Sequence, residues 1–424
     1  MIGYFILLGY SILFIISFNK NNSETLTLNL LSITFPWVLY FSLIYIFQIK
    51  FYSLNINFFI FIFFLSLLSY IACITGYNSA KNEIFKTNKN FENFEKYYIF
   101  FISLGIIGAL VTVYERFDNF SLFLSTTNPE ELYKLRYSTN IKDVGLRIES
   151  NIEYLKILYP FSFISIVPVG GSFKIKTLRY VCLTLFVLGA LMVAGRFNFL
   201  FAVIALGIFT YNNKKIFNLR NLSIILIFFY FLSLSFTLRS SNFDTLYFYK
   251  NLAGISDINF LGLKNLDSVF FTPIYNLITY YVQSANHLTS FLIDYDLRKL
   301  AFGGYQFDIV FGIINKVLGT SLVTKRELAF NDYSVGLFST YIRDVLADFG
   351  YIGCIVFSTS IGYLLGNYSA KQNLHWIYRV IYYFLIIQFA LAPLLLIYSD
   401  FILLLNIYLF AFLFFKKKLI KRFI

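Results

Sequence analysis

Apolar runs of about 15–20 residues recur along the whole chain, separated by shorter polar stretches. Most are long enough for a helix to cross a hydrocarbon core of about 30 Å. They lack the alternation of a lipid-facing strand. Because every backbone amide must find an internal partner in lipid, the runs are expected to be helices. The pattern predicts eleven spans, at about 2–18, 28–47, 56–75, 97–115, 153–170, 180–195, 197–211, 222–238, 349–366, 379–397 and 401–415. No internal repeat, linker or low-complexity tract divides them. The expected fold class is all-α: a polytopic membrane helix bundle that is one integral-membrane domain over 1–424.

Lysine and arginine in short loops set the orientation. One set of segments carries Lys20; Lys81, Lys86, Lys89 and Lys96; Lys174, Lys176 and Arg179; Lys214, Lys215 and Arg220; Lys371 and Arg379; and the tail Lys416, Lys417, Lys418, Lys421 and Arg422, which makes 18 charges. The short segments between them carry only Lys50 and Arg196. The basic set is therefore expected in the cytoplasm, with the C-terminus inside and the N-terminus outside. Two long segments then lie outside, 116–152 and 239–348, the second 110 residues long.

The larger external loop is not hydrophilic filler. In Phe271–Tyr295, Thr272 can cap a helix with Pro273 in its first turn. Ile274, Leu277, Ile278, Tyr281, Ala285 and Leu288 make an apolar stripe at helical spacing, and Asn276, Thr279, Tyr280, Gln283, His287 and Ser290 make a polar one. Such a helix is expected to lie on the membrane or to pack over the mouth of the bundle. The alternative is a twelfth span, which would put the basic tail outside.

Composition agrees with a membrane chain: 58% of residues are hydrophobic and 13% charged, against about 25% charged in soluble domains. The net charge of +13 needs no nucleic acid, because cytoplasmic loops are basic anyway. The 54 Phe and 34 Tyr could serve as stacking platforms for sugars, but their company of Ile, Lys and Asn reads better as a compositional bias. Cys73, Cys182 and Cys354 all fall in apolar runs, with neither a disulfide framework nor metal spacing. The run 2–18 has no basic flank and no small-residue cleavage signature, so it is expected to be a retained helix.

Arginine is distributed differently from lysine. Under this topology the outside holds eight Arg and nine Lys, while the inside holds four Arg and fourteen Lys. Retention on the inside needs only charge, which lysine supplies. An external share of arginine points to guanidinium forks, which bind phosphate oxygens bidentately. Three candidates sit where helices meet the external face. Arg196 lies in the turn of LMVAGRFNFLF, Arg239 follows the eighth span, and Arg343 lies in FSTYIRDVLADFGYIGCIVF just before the ninth. An ionisable group at membrane depth is a functional candidate, and its bland alternative is a snorkelling helix end.

These residues resemble a family. A Gly-Arg at an external helix junction, a long external loop after the eighth span, and the run Tyr341-x-Arg343-Asp344-x-x-Ala347-Asp348-Phe349-Gly350-Tyr351-Ile352-Gly353 look like the O-antigen polymerases, also called oligosaccharide repeat-unit polymerases. PEELYKLRYSTN, with Arg136, fits as well. The resemblance runs from about Glu131 to Gly366. It implies a GT-C-like bundle in the bacterial cytoplasmic membrane, with its active site facing the exterior. The implied donor and acceptor are oligosaccharides linked to polyprenyl diphosphate, and membrane lipid and a chain-length regulator protein are the other implied partners.

The implied reaction moves a growing glycan from its lipid diphosphate to the next lipid-linked unit. Fixed cations that stabilise charge on the leaving diphosphate would lower the barrier without metal, nucleotide or other cofactor. The short external loop 48–55 has no paired carboxylates, unlike the metal-dependent lipid-sugar transferases that carry acids there. Arg196, Arg239 and Arg343 are the expected charge-stabilising residues. The acceptor hydroxyl needs a base or an orienting partner, with His287, Asp344 and Asp348 as first candidates and Asp294 and Asp296 behind them. Arg136, Arg147, Tyr341, Tyr280 and Gln283 are the expected substrate contacts. The rival readings are an O-antigen ligase, with similar chemistry on a different acceptor, and a lipid-linked oligosaccharide flippase. The long external loop and nearly charge-free spans disfavour the flippase. A non-catalytic membrane scaffold is the third rival, and the external share of arginine counts against it.

Overall fold

The computed structural model describes residues 2–19, 22–51, 55–84, 94–125, 153–167, 172–192, 255–257, 341–393 and 405–409, with scattered positions between 278 and 322 and at 411–412. These residues are overwhelmingly helical. α1 is Ile2–Ser17, α2 Glu24–Ile46, α3 Ile56–Ile84 and α4 Phe94–Ser125. A 3-10 helix, Glu153–Ile166, is followed by α5 (Phe173–Met192), α6 (Tyr341–Lys371) and α7 (Trp376–Ala390). Among the described residues four helices are long and apolar enough to cross a membrane: Glu24–Ile46, Ile56–Asn82, Tyr97–Tyr114 and Tyr341–Lys371. The chain is thus a helical, multi-pass membrane protein in its described part. The spans predicted at 197–211 and 222–238 lie outside the described residues.

Three local features depart from the hydropathy reading. α4 runs on to Ser125, so the segment predicted to be an external loop from 116 begins as helix. The fifth span is a 14-residue 3-10 helix, at about 2.0 Å per residue longer and thinner than an α-helix of the same count. Its thinness is used. Gly105 and Gly108 of α4 lie so close to the backbone of Tyr159 and Phe161 that a Cβ on either would strike it. The third departure is a small sheet in a chain read as all-α: β1 (Lys50–Phe51) pairs antiparallel with β2 (Ile255–Asp257). It ties the turn between α2 and α3 to the long segment predicted over 239–348.

The residues predicted to share a side of the membrane converge on one end of the bundle. β1 with β2, the backbone N–H of Asn55 on Thr289 Oγ1, and Phe302 N–H on the Asp348 carbonyl all lie at one end. The start of α5 and the end of the 3-10 helix lie together at the other, joined by Arg179 and Ser165. The amphipathic segment sits deeper than a surface helix. Tyr281 donates to the Pro36 carbonyl at 3.1 Å and Tyr40 to the Val282 carbonyl at 3.1 Å. Pro36 is about 18 Å along α2 from Glu24. Leu288 of the predicted apolar stripe is buried, and so are Val282, Ser284 and Thr289, so the helix is covered beyond one stripe.

Interhelical hydroxyls hold the bundle. Tyr10 meets Ser66 at 2.9 Å, Asn29 donates to Ser369 at 2.7 Å, and Ser69 donates to the Ser358 carbonyl at 2.8 Å. In lipid such bonds contribute on average roughly 0.6 kcal/mol each. The closest approach is between α3 and α6. A Cβ on Gly362 or Gly366 would collide with the carbonyls of Ser69 and Cys73, and one on Gly76 with the Tyr363 carbonyl. Aromatic residues fill the core in ring contact, as Tyr10, Trp37, Tyr40, Phe41 and Phe59 do around α1–α3.

A substitution at this seam has a clear expectation. Gly366→Ile must push α3 off α6, because a backbone carbonyl cannot rotate away, and overpacking of this kind costs about 1–3 kcal/mol. Purified Gly366→Ile is expected to melt well below the parent in detergent. Gly312→Ala, where nothing lies within 4 Å of the added Cβ, is expected to melt with the parent. Equal melting of both variants would show that the seam is slack.

Candidate functional site

The run from Tyr341 to Gly353 does not form one straight helix into the ninth span. Gly350 interrupts α6 at φ 66°, ψ −167°, a region essentially closed to residues with a side chain. The two arms, 341–349 and 351–371, fold back on each other. Tyr341 Oη lies 3.2 Å from Ser358 Oγ, and Cys354 Sγ lies 4.0 Å from the Ile342 carbonyl. In a continuous helix, residues 17 apart would be about 25 Å apart along the axis. The short arm therefore packs beside the first turns of the spanning arm, and every residue from Tyr341 to Asp348 is buried.

This changes where the charges sit. Arg343 was expected just before the span. The fold-back buries it, 8% exposed, beside Asp344 at 5% and Asp348 at 0%. Arg343 Nε donates to Asp344 Oδ1 at 2.9 Å, and Nη2 lies 2.8 Å from the same oxygen. Asp344 and Asp348 are one helical turn apart and share a face. Two backbone bonds clamp the arm at its ends: Tyr341 N–H donates to the Ala392 carbonyl beyond α7, and Phe302 N–H to the Asp348 carbonyl. Asp344 pairs with Arg343, and neither it nor Asp348 is exposed as a surface carboxylate would be.

Electrostatics limits what the arm can do alone. One guanidinium and two carboxylates sum to −1 when all are ionised. Removing one partner of such a buried pair costs about 3–5 kcal/mol, because a bare charge remains. Arg343 therefore has a first duty to Asp344, which uses the Nε edge of its fork. An incoming diphosphate would need further cations.

Of the eleven residues singled out as catalytic or substrate-binding, the structure brings together Tyr341, Arg343, Asp344 and Asp348. Arg196, Arg239, His287, Arg136, Arg147, Tyr280 and Gln283 lie outside the described residues, as do Asp294 and Asp296. The groove between α3 and α6, about 670 Å³, lies elsewhere, lined by Leu68, Ile71, Thr75, Thr359, Ser360 and Tyr363 among others. It carries hydroxyls but no charge, so it offers no group for acid–base work.

Compared with protein families, curated proteins and solved structures, the chain matches none. The functional reading therefore rests on the residues themselves.

The hairpin depends on its glycine. Gly350→Ala is expected to cost about 1–3 kcal/mol of backbone strain and to release the short arm. A cysteine placed at Ile342, buried here, is expected to resist a water-soluble thiol reagent in the parent and to label in the Gly350→Ala background. Labelling that is equally slow in both would show that the fold-back does not need Gly350.

Proposed function

We propose that this chain is a membrane glycosyltransferase that polymerises oligosaccharide repeat units carried on polyprenyl diphosphate, at the outer face of a bacterial cytoplasmic membrane. The observation that carries the reading is the short arm of α6. Arg343, Asp344 and Asp348 are buried together within two helical turns of an apolar bundle. Charges at that depth are costly, and a helix that only spans does not need them. The O-antigen polymerase-like run supplies the same residues.

The reading divides the labour by charge. Stabilising a diphosphate leaving group takes net positive charge, which the arm does not have. Arg196 and Arg239, with Arg136 and Arg147, are assigned to the diphosphate together with Arg343. Asp344 and Asp348 face the acceptor, with His287 as a further base. The acceptor hydroxyl oxygen attacks the sugar C1. The C1–O bond to diphosphate breaks, and its electron pair stays on the lipid diphosphate. The hydroxyl proton passes to the base. Arg343 holds the Asp344 carboxylate in place and faces the charge that develops beside it.

Lysine at position 343 tests the fork. A single ammonium cannot supply both the Nε and Nη2 contacts to Asp344 Oδ1, nor a bidentate grip on phosphate. Arg343→Lys is expected to lower the polymerisation rate on the order of a hundredfold, the size of losing one donor to a developing oxyanion. In cells expressing matched amounts, the glycan ladder should collapse to single repeat units. Arg379→Lys, at the opposite end of the bundle, should leave the ladder intact. A full-length ladder from Arg343→Lys would overturn the role given to the fork.

The reaction as written uses no metal ion. Purified protein supplied with lipid-linked repeat units is expected to polymerise them in the presence of EDTA. Activity lost with chelator and restored by a divalent cation would refute the metal-free scheme.

A further inference from the structure

One face of α6 stays uncovered from the hairpin into the span. Ile352, Val356, Ser360 and Tyr363 are exposed at helical spacing, starting two residues past Gly350. α3 carries a matching row beside it: Phe64 and Ile71 are exposed, Leu68 is half-buried between them, and Thr75 follows. The two rows start together at the folded-back arm, where Phe61 meets Tyr351 edge-on at 5.3 Å. Further along they border the groove of about 670 Å³, whose lining includes Leu68, Ile71, Thr75, Ser360 and Tyr363. The Tyr363 hydroxyl donates to Ser79 at 3.4 Å and marks the far end.

The sequence makes this groove. Gly76, Gly362 and Gly366 bring the two backbones into contact. Beside that seam the lining residues Ala72, Thr75, Thr359 and Ser360 are small, and the larger Ile71 and Tyr363 flank them. Thr75 donates its hydroxyl to the Ala72 carbonyl at 2.8 Å, within its own helix. The lining carries no charge, and its volume lies within the range of about 300–1,000 Å³ of ligand pockets. Such a surface suits hydrocarbon.

Depth decides which hydrocarbon. Thr359 and Leu364 lie about 12 and 20 Å along α6 from Tyr351. Ile71 and Thr75 lie about 15 and 21 Å along α3 from Phe61. Half of a hydrocarbon core is about 15 Å, so the groove straddles the middle of the bilayer, where the acyl chains of the two leaflets end. A chain that fills it while its headgroup stays at the arm must outreach an ordinary acyl chain, and a polyprenyl chain does. Helix and lipid tail are equally apolar, so selection must come from close packing. A headgroup held at the arm makes the filling of the groove intramolecular.

We propose that the groove between α3 and α6 holds the polyprenyl chain of a substrate whose diphosphate lies at the arm of α6. The inference rests on the reaction proposed above for the identity of the headgroup, and it adds a requirement for chain length.

The test uses the full chain in detergent, without any glycan. Binding of undecaprenyl diphosphate and of farnesyl diphosphate, which share a headgroup, is titrated by native mass spectrometry. The parent is expected to bind the longer chain about tenfold tighter or more. Ser360→Phe, which fills the groove from an exposed position, should remove most of that preference and leave the farnesyl diphosphate affinity unchanged. Thr75→Phe fills it from the other helix and should do the same, and retained farnesyl diphosphate binding shows that either variant has folded. No preference in the parent, or a preference undiminished in both variants, would overturn the groove. Two further results would give it another occupant and overturn the assignment: dioleoyl phosphatidylglycerol displacing the longer chain one for one, or a dimer of the parent that Ser360→Phe dissolves. Polymerisation of complete lipid-linked units is measured separately. A parent that polymerises without a chain-length preference refutes the groove alone, and a preference without polymerisation refutes the reaction alone.

Discussion

α3 and α6 touch backbone to backbone, and the folded-back arm hangs from that contact. Between helices in lipid there is no hydrophobic driving force, since the tails are as apolar as leucine. Association must come from close packing and from hydrogen bonds. Gly76, Gly362 and Gly366 remove the side chains that would hold the axes apart, and Ser69 then reaches the Ser358 carbonyl. Ser358 in turn meets Tyr341. A single path thus runs from the glycine seam through two serines to the first residue of the folded-back arm, two residues before Arg343. Loosening the seam moves the site without touching a charge.

Much of this was legible in the pattern of apolar residues. The start of α1 at Ile2, α3 at Ile56 and the 3-10 helix at Glu153 follow the runs closely, because length and polarity alone decide whether a segment stays in lipid. Asn55 and Thr289, from two segments predicted to be loops, meet in a hydrogen bond. The fold-back was not legible. FSTYIRDVLADFGYIGCIVF reads as one amphipathic-to-apolar helix, and glycine is common inside membrane helices. Only the backbone angle at Gly350 shows that the chain reverses there. The 3-10 form of Glu153–Ile166 was equally hidden, since its sequence has the apolar content of any span.

Arg179 escaped for a different reason. Counting lysines and arginines treats each as a solvated loop charge, and for Lys174 and Lys176, exposed in the first turn of α5, that is right. Arg179 is only three residues further on, yet it is buried, with its Nε on the Ser165 carbonyl of the 3-10 helix. Arg179 thus differs from the lysines beside it in burial, and composition could not separate it from them.

The two buried arginines answer one problem in opposite ways. Arg343 carries its counter-charge on the next residue, so the pair forms whenever the arm is helical and needs nothing from outside. The price is that the arm has no positive charge to spare, and any anionic substrate must bring other arginines into play. Arg179 is held instead by the Ser165 carbonyl and the Tyr180 ring, so its partners come from the 3-10 helix and from its own helix. An adjacent carboxylate fixes a guanidinium within one arm, whereas a carbonyl on another element makes it a tie between two. By that reasoning Arg343 braces the folded-back arm from within, and Arg179 fastens α5 to the 3-10 helix.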